Sequence, residues 1–141
     1  MEELLKIENL SVGIPSPAGK VQAVRDVSFT LHPGEVLAIV GESGCGKSML
    51  CKSIMKLLPK SAKIESGKII ANGVDITKYS EKDMRKLRGK LFSFVFQDPM
   101  TALNPTVPIG KQIAEAILVH EPKLPKEEVY NRVIKLMELV G

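Results

Sequence analysis

The 141-residue sequence predicts an α/β fold in which a buried strand gives way, through a phosphate-binding loop, to a helix, and three observations predict it. The first is Gly41-Glu42-Ser43-Gly44-Cys45-Gly46-Lys47-Ser48, which fits the pattern G-x-x-x-x-G-K-[ST] without a mismatch. The second is its setting. An apolar run, Val36 to Val40, precedes it and a helix-patterned segment follows, as a strand–loop–helix unit requires. The third is another apolar run, Leu91 to Phe96, which supplies a second buried strand for a sheet covered on both faces.

The elements follow in order. Leu4 to Ile14 and Val21 to Leu31 read as strands around a turn-rich link, Pro15 to Lys20. Val24, Val27, Phe29 and Leu31 alternate approximately, as in a half-buried antiparallel strand. Pro33-Gly34 signals a turn into the strand Val36 to Val40. Leu50, Ile54, Leu57 and Leu58 recur at helical spacing, so a helix from about Lys47 lays one face on the sheet until Pro59 closes it. Asn72-Gly73 between Gly67 to Ala71 and Val74 to Ile76 is a strong hairpin signal. Ser80-Glu81-Lys82-Asp83 resembles a capped helix start, leading a short basic helix to about Gly89 whose Arg85, Lys86 and Arg88 read as a solvated face. Helical patterns return at about Ile109 to His120 and Lys126 to Val140, the latter with Val129, Val133, Leu136, Met137 and Val140 on one stripe.

Composition narrows the function classes. The length suits about one domain with a real core. A net charge of +4 is mild, and aromatic residues at 4% are too few for a base-stacking nucleic-acid surface. No apolar run approaches the ~20 residues of a membrane span, and Met1 to Lys6 lacks the pattern of a signal peptide. The expectation is a cytosolic chain. Cys45 and Cys51 match no zinc or redox spacing and read as reduced thiols.

The loop's residue types follow from what a polyphosphate demands. Wrapping it turns successive backbone N–H groups inward, which Gly41, Gly44 and Gly46 permit because they carry no Cβ. The helix from Lys47 aims its N-terminal donors and positive dipole end at the phosphates, and the Lys47 ammonium reaches the β- and γ-phosphates. Ser48 offers a hydroxyl to Mg²⁺, a cation that prefers oxygen ligands. At the end of the second run two residues compete to stand beside the γ-phosphate. Asp98 would follow the strand on the wrong face, because Gln97 intervenes. Gln97 is the better reading, since its amide can both touch Mg²⁺ and orient a water.

The stretches Leu37 to Ser48, Ser66 to Ile69 with Asn72 to Ile76, and Phe94 to Thr106 resemble the nucleotide-binding subunit of an ABC transporter. The pairing of Gly41 to Ser48 with Gln97-Asp98-Pro99-Met100-Thr101-Ala102-Leu103-Asn104-Pro105 is similar to the dipeptide, oligopeptide and nickel importer branch. The resemblance implies a P-loop NTPase (RecA-like) core with an antiparallel β subdomain and the start of a helical subdomain. The implied division is 1–35 and 64–80 for the β subdomain, 36–63 and 90–98 for the core, and 99–141 for the helical part. It further implies ATP and Mg²⁺ as cofactors. Gly41, Glu42, Ser43, Gly44, Cys45, Gly46, Lys47, Ser48 and Met49 would hold the nucleotide, Ser48 and Gln97 the metal, with Gln97 the sensing glutamine. The implied partners are a membrane permease, met through the region after Gln97, and a second ATP-binding subunit, at the inner face of the plasma membrane. Nucleic acid is not among them.

Three departures from the family's pattern matter. Ile14 stands where an aromatic usually stacks on adenine, a contact worth ~1–3 kcal/mol, so ATP is expected to bind roughly 10- to 100-fold more weakly. Cys45 replaces a commoner serine, which a backbone cradle tolerates. Gly141 precedes any signature segment, any apolar strand ending in Asp-Glu and any switch histidine, a role that neither His32 nor His120 fits. The expectation is therefore an amino-terminal, truncated portion that binds MgATP and does not hydrolyse it alone. Two other readings stay open: a non-catalytic nucleotide-binding or regulatory protein, and a small P-loop kinase or GTPase, which lacks here its base-reading motif.

Overall fold

The computed structural model describes residues 2–17, 19–98 and 102–141. They form two units, one up to Arg85 and one from Lys86 onward.

The first unit is organised by an antiparallel sheet. Strands β1 (Leu5–Ser16) and β2 (Gly19–Leu31) pair along most of their length, and the turn-rich link is tighter than its composition suggests, because Pro15 pairs with Lys20 and Ser16 with Gly19. Strand β3 (Lys63–Ala71) pairs with the other edge of β1, and the two-residue β4 (Val74–Asp75) completes the order β2-β1-β3-β4. The Asn72-Gly73 hairpin forms as expected, both residues holding positive φ (46° and 75°), which matches the right-handed strand twist. Ile7, Leu10, Val12, Val24 and Ile69 form the sheet's buried face together with Leu50 and Ile54 of helix α1 (Lys47–Ile54).

Helix α1 stops before Leu57 and Leu58. Lys56 takes a left-handed φ of 52°, and the N–H groups of Lys56 and Leu57 donate to the carbonyls of Ser53 and Lys52, an αL stop usually given to glycine. The Lys56 ammonium donates to the Tyr79 carbonyl at 2.6 Å, which holds the stop, and its burial lowers the pKa of the amine. Helix α2 (Glu81–Leu87) begins as predicted: Ser80 Oγ donates to Asp83 Oδ2 and accepts the Asp83 N–H.

The two parallel strands expected of the sequence are not paired. Residues Val36 to Val40 and Leu91 to Phe96 belong to no sheet among the described residues, apart from an isolated Arg88–Phe92 bridge. Val36 and Val40 are 94% and 90% exposed instead of buried. The reason is physical. A central parallel strand is buried only when neighbouring strands pair with it and helices cover it, and the sheet present here is antiparallel throughout.

In the second unit, helix α3 (Ile109–His120) packs against α4 (Lys126–Val140), whose Val129 and Val133 are buried. Gly110 of α3 faces Val133, and a Cβ there would make ordinary contact with Val133 Cγ1 at 3.6 Å. Arg132 donates to Glu121 Oε1 (2.8 Å) and Glu128 Oε1 (2.7 Å), tying α4 to the residue that ends α3. Ahead of α3, the Gln112 side chain accepts the Asn104 N–H and donates to the Asn104 and Val107 carbonyls, fastening the Asn104–Pro108 turn to the helix.

Candidate nucleotide site

The phosphate-binding loop sits at the N-terminus of α1, where residue types and backbone shape agree. Gly44 and Gly46 hold φ of 79° and 103°, a region that L side chains rarely enter. Gly46 is also fixed by its neighbour: a Cβ there would lie 2.1 Å from the Ala23 carbonyl oxygen of β2. Sheet and loop thus meet at this point. No side chain caps α1, and its first internal bond runs from the Leu50 N–H to the Gly46 carbonyl, so the preceding N–H groups are left to serve an anion.

Lys47 lies back across the loop. Its ammonium donates to the carbonyls of Gly41 (2.7 Å) and Glu42 (2.6 Å) and stands 3.5 Å from Cys45 Sγ. Its oxygen partners are neutral carbonyls, which phosphate oxygens can replace with stronger charge-assisted bonds. A Cβ on Gly41 would come within 2.6 Å of Cys45 Sγ, the end of a side chain.

Loop and sheet enclose a cleft of about 720 Å³. Gly44 to Leu50 line one side, including Ser48 and Met49. Ile14, Val21, Val24 and Val27 line the other, with Ile39 and Val40 from the segment before the loop. Ile14 and Val21 face each other across the β1–β2 ladder, so the position expected to meet a base shares the cleft with the loop expected to hold phosphate. Gly41, Glu42 and Ser43 form the exposed outer side of the loop and do not line the cleft.

Beside Ile14 a small polar network braces three strands. Glu65 of β3 accepts from Lys20 and from Gln22 Nε2, and these hydrogen bonds, Lys20 first, hold its carboxyl below the usual carboxylate range. Gln22 Nε2 also donates to the Val24 carbonyl, so its amide nitrogen is already engaged.

Sequence reasoning read β2 as a half-buried antiparallel strand and named none of Val21, Gln22, Ala23 and Arg25 as a site residue, though all four line the cleft. Their alternation was visible, but only the register places one edge of β2 against Gly46. Gln97 is exposed and belongs to the second unit, whereas the loop belongs to the first. The stretch that follows it, Pro99 to Thr101, lies outside the described residues. Among the described residues no cluster of His, Cys, Asp and Glu forms a metal site, and no helix is long and apolar enough to cross a membrane.

Known proteins match this arrangement. The chain is 50% identical over its whole length to the dipeptide transport ATP-binding protein DppD of Bacillus subtilis, and 48% identical over 98% of its length to that organism's oligopeptide transport ATP-binding protein OppD. It spans 42% and 38% of those relatives. Among solved structures, the ATP-binding cassette MJ0796 bound to ADP and Pi superposes with a TM-score of 0.78 at 20% identity, over 95% of this chain and 56% of that one. The protein cbiO1 from Clostridium perfringens, part of the ABC transporter complex cbiONQ, superposes with a TM-score of 0.67 at 28% identity, over 98% of this chain and 50% of its own. The unpaired apolar segments therefore belong to a cassette fold whose described part holds the antiparallel sheet, the loop with α1, and the α3–α4 pair. Residues 24–141, from the strand that meets Gly46 through the loop to the last helix, match the ABC transporter family, and the chain belongs to that family.

Proposed function

We propose that the chain carries the phosphate-holding side of an ATP-binding subunit that drives uptake of di- or oligopeptides. The observation that carries this reading is the seating of Lys47 inside the loop at the uncapped start of α1, in one cleft with Ile14. The loop's N–H groups and Lys47 bind the phosphates, and Ile14 and Val21 take the base by apolar burial.

Mg²⁺ fits the residues present. The Ser48 hydroxyl is exposed in the cleft at the first turn of α1 and makes no hydrogen bond among the described residues, leaving a hard oxygen free for a metal that takes its other ligands from phosphates and water. When bound, the ion neutralises phosphate charge. Gln97 is the proposed second metal contact. The branch is taken from the two Bacillus relatives, which are peptide transport proteins. A permease, met through residues after Gln97, and a second ATP-binding subunit are the proposed partners, with the assembly at the inner membrane face.

Titration calorimetry with MgATP tests the reading. The chain should bind, and Lys47→Ala should weaken binding by roughly tenfold or more, the loss of one charge-assisted contact. Absent binding, or equal binding by the variant, would refute it.

A further inference from the structure

The cleft contains a second cation that the loop motif does not include. Arg25 of β2 lines the same cleft as Lys47. Among the described residues these two are the only charged side chains in its lining, and no carboxylate lines it. Arg25 has no hydrogen bond or ion pair among the described residues. The adjacent Asp26 makes no ion pair with it among the described residues; its Oδ1 accepts from Asn9 Nδ2. An exposed arginine on a strand is ordinarily a solvated side chain; here its place along β2 argues otherwise.

The register orders the cleft along that strand. Val21 stands opposite Ile14, the Ala23 carbonyl abuts Gly46, and Arg25 follows two residues further on. At a strand's rise, Arg25 stands ~13 Å beyond Val21, so a base held against Ile14 lies out of its reach, while the loop lies within the span of an arginine side chain. The left-handed φ of Asp26 (48°) and the buried Val24 fix the strand on both sides of it.

We infer that Arg25 is a further nucleotide-binding residue, whose guanidinium contacts the polyphosphate as a second cation beside Lys47. This rests on the reading of the cleft as a nucleotide site. It requires no rearrangement of β2. A planar guanidinium suits two phosphate oxygens at once, and with no carboxylate in the lining it loses no partner when the nucleotide leaves.

The experiment compares the wild type, Lys47→Ala, Arg25→Ala, Arg25→Gln and Arg25→Lys for binding of ATP, ADP and inorganic tripolyphosphate, with far-UV circular dichroism as the check on folding. Removing the charge at Arg25 should weaken ATP and tripolyphosphate by similar factors, roughly three- to tenfold for a partly screened contact, and Arg25→Lys should recover part of it. The loss should shrink as salt is raised. Unchanged tripolyphosphate binding in a folded Arg25→Gln variant overturns the inference, as does a loss confined to ATP and ADP, which would put Arg25 at the base. A wild type that binds neither ATP nor tripolyphosphate overturns the nucleotide reading and this inference together. Binding that depends on Lys47 and ignores Arg25 overturns this inference alone.

Discussion

At Ile14 the cleft offers a nucleotide base an aliphatic surface, half-buried and level with Val21 on the neighbouring strand. An aliphatic side chain gains from covering the base but has no π-face to stack on it. Ile14→Tyr should therefore strengthen ATP binding by roughly 10- to 100-fold, the worth of one base–aromatic contact, while leaving tripolyphosphate binding unchanged. Parallel titrations of the two ligands check this, and an equal gain for both would mean that residue 14 does not meet the base. The loop's glycines show a complementary constraint. Gly46 was legible as a phosphate-loop residue from the motif, but its second reason for lacking a Cβ, the Ala23 carbonyl, depends on a strand more than twenty residues earlier in the chain. No local pattern announces that contact.

Three of the four strands of the antiparallel sheet, β1, β2 and β3, share one irregularity. Asn9 on β1 and Asp26 on β2 both hold φ of 48°, Gly67 on β3 holds 92°, and the ladders slip register beside each of them. Side chains stitch the bend: Asn9 Nδ2 donates to Asp26 Oδ1 at 2.9 Å, the Asp26 N–H to Ser11 Oγ, and the Asn9 N–H to Ser28 Oγ. At Gly67 a Cβ would lie 2.5 Å from the Glu8 and Asn9 carbonyl oxygens and from Leu10 Cα. Those are backbone atoms in a ladder, which cannot step aside. Gly67→Ala should lower unfolding stability by roughly 1–3 kcal/mol, and Asn9→Ala by about 1 kcal/mol for its one lost side-chain hydrogen bond. Urea denaturation measures both, and a Gly67→Ala midpoint equal to the wild type would contradict the close approach. The sequence made other elements plain because their signals are local: Asn72-Gly73 for the hairpin, Ser80 and Asp83 for the start of α2, and the apolar stripes of α1 and α4. Bulges at Asn9 and Asp26 were not legible, because neither residue is a glycine and a bulge is defined by the partner strand. The end of α1 was misplaced for a related reason. Pro59 is a visible stop, whereas Lys56 adopts its left-handed turn with an anchor at Tyr79, distant in sequence.

Across the whole molecule, apolar sequence and apolar burial part company in each unit. In the first, Val36 and Val40 are almost fully exposed; in the second, Val95 is 94% exposed, and the rings of Phe94 and Phe96 pack on each other at 4.7 Å while Phe96 stays half open. Leu139 and Val140 extend the open surface of α4. The continuous apolar character of Val36 to Val40 predicts burial that the structure does not show; burial is a relation between segments, and the described residues provide no strand to pair with it. The chain spans about two fifths of the Bacillus relatives it resembles. Unpaired apolar segments of this kind carry free N–H and C=O groups as well as uncovered side chains, the two properties that template strand addition. A protein of these residues should therefore bind a hydrophobic dye such as anilinonaphthalene sulfonate, and its sedimentation coefficient should rise with concentration. Sulfate should enhance the association, since it strengthens apolar burial, whereas an association through charge would weaken in salt. Replacing Val36 and Val40 by lysine should reduce association without disturbing the antiparallel sheet, because neither side chain is buried in it. A monodisperse monomer that leaves the dye dark would show that these segments are covered in solution by contacts within the chain.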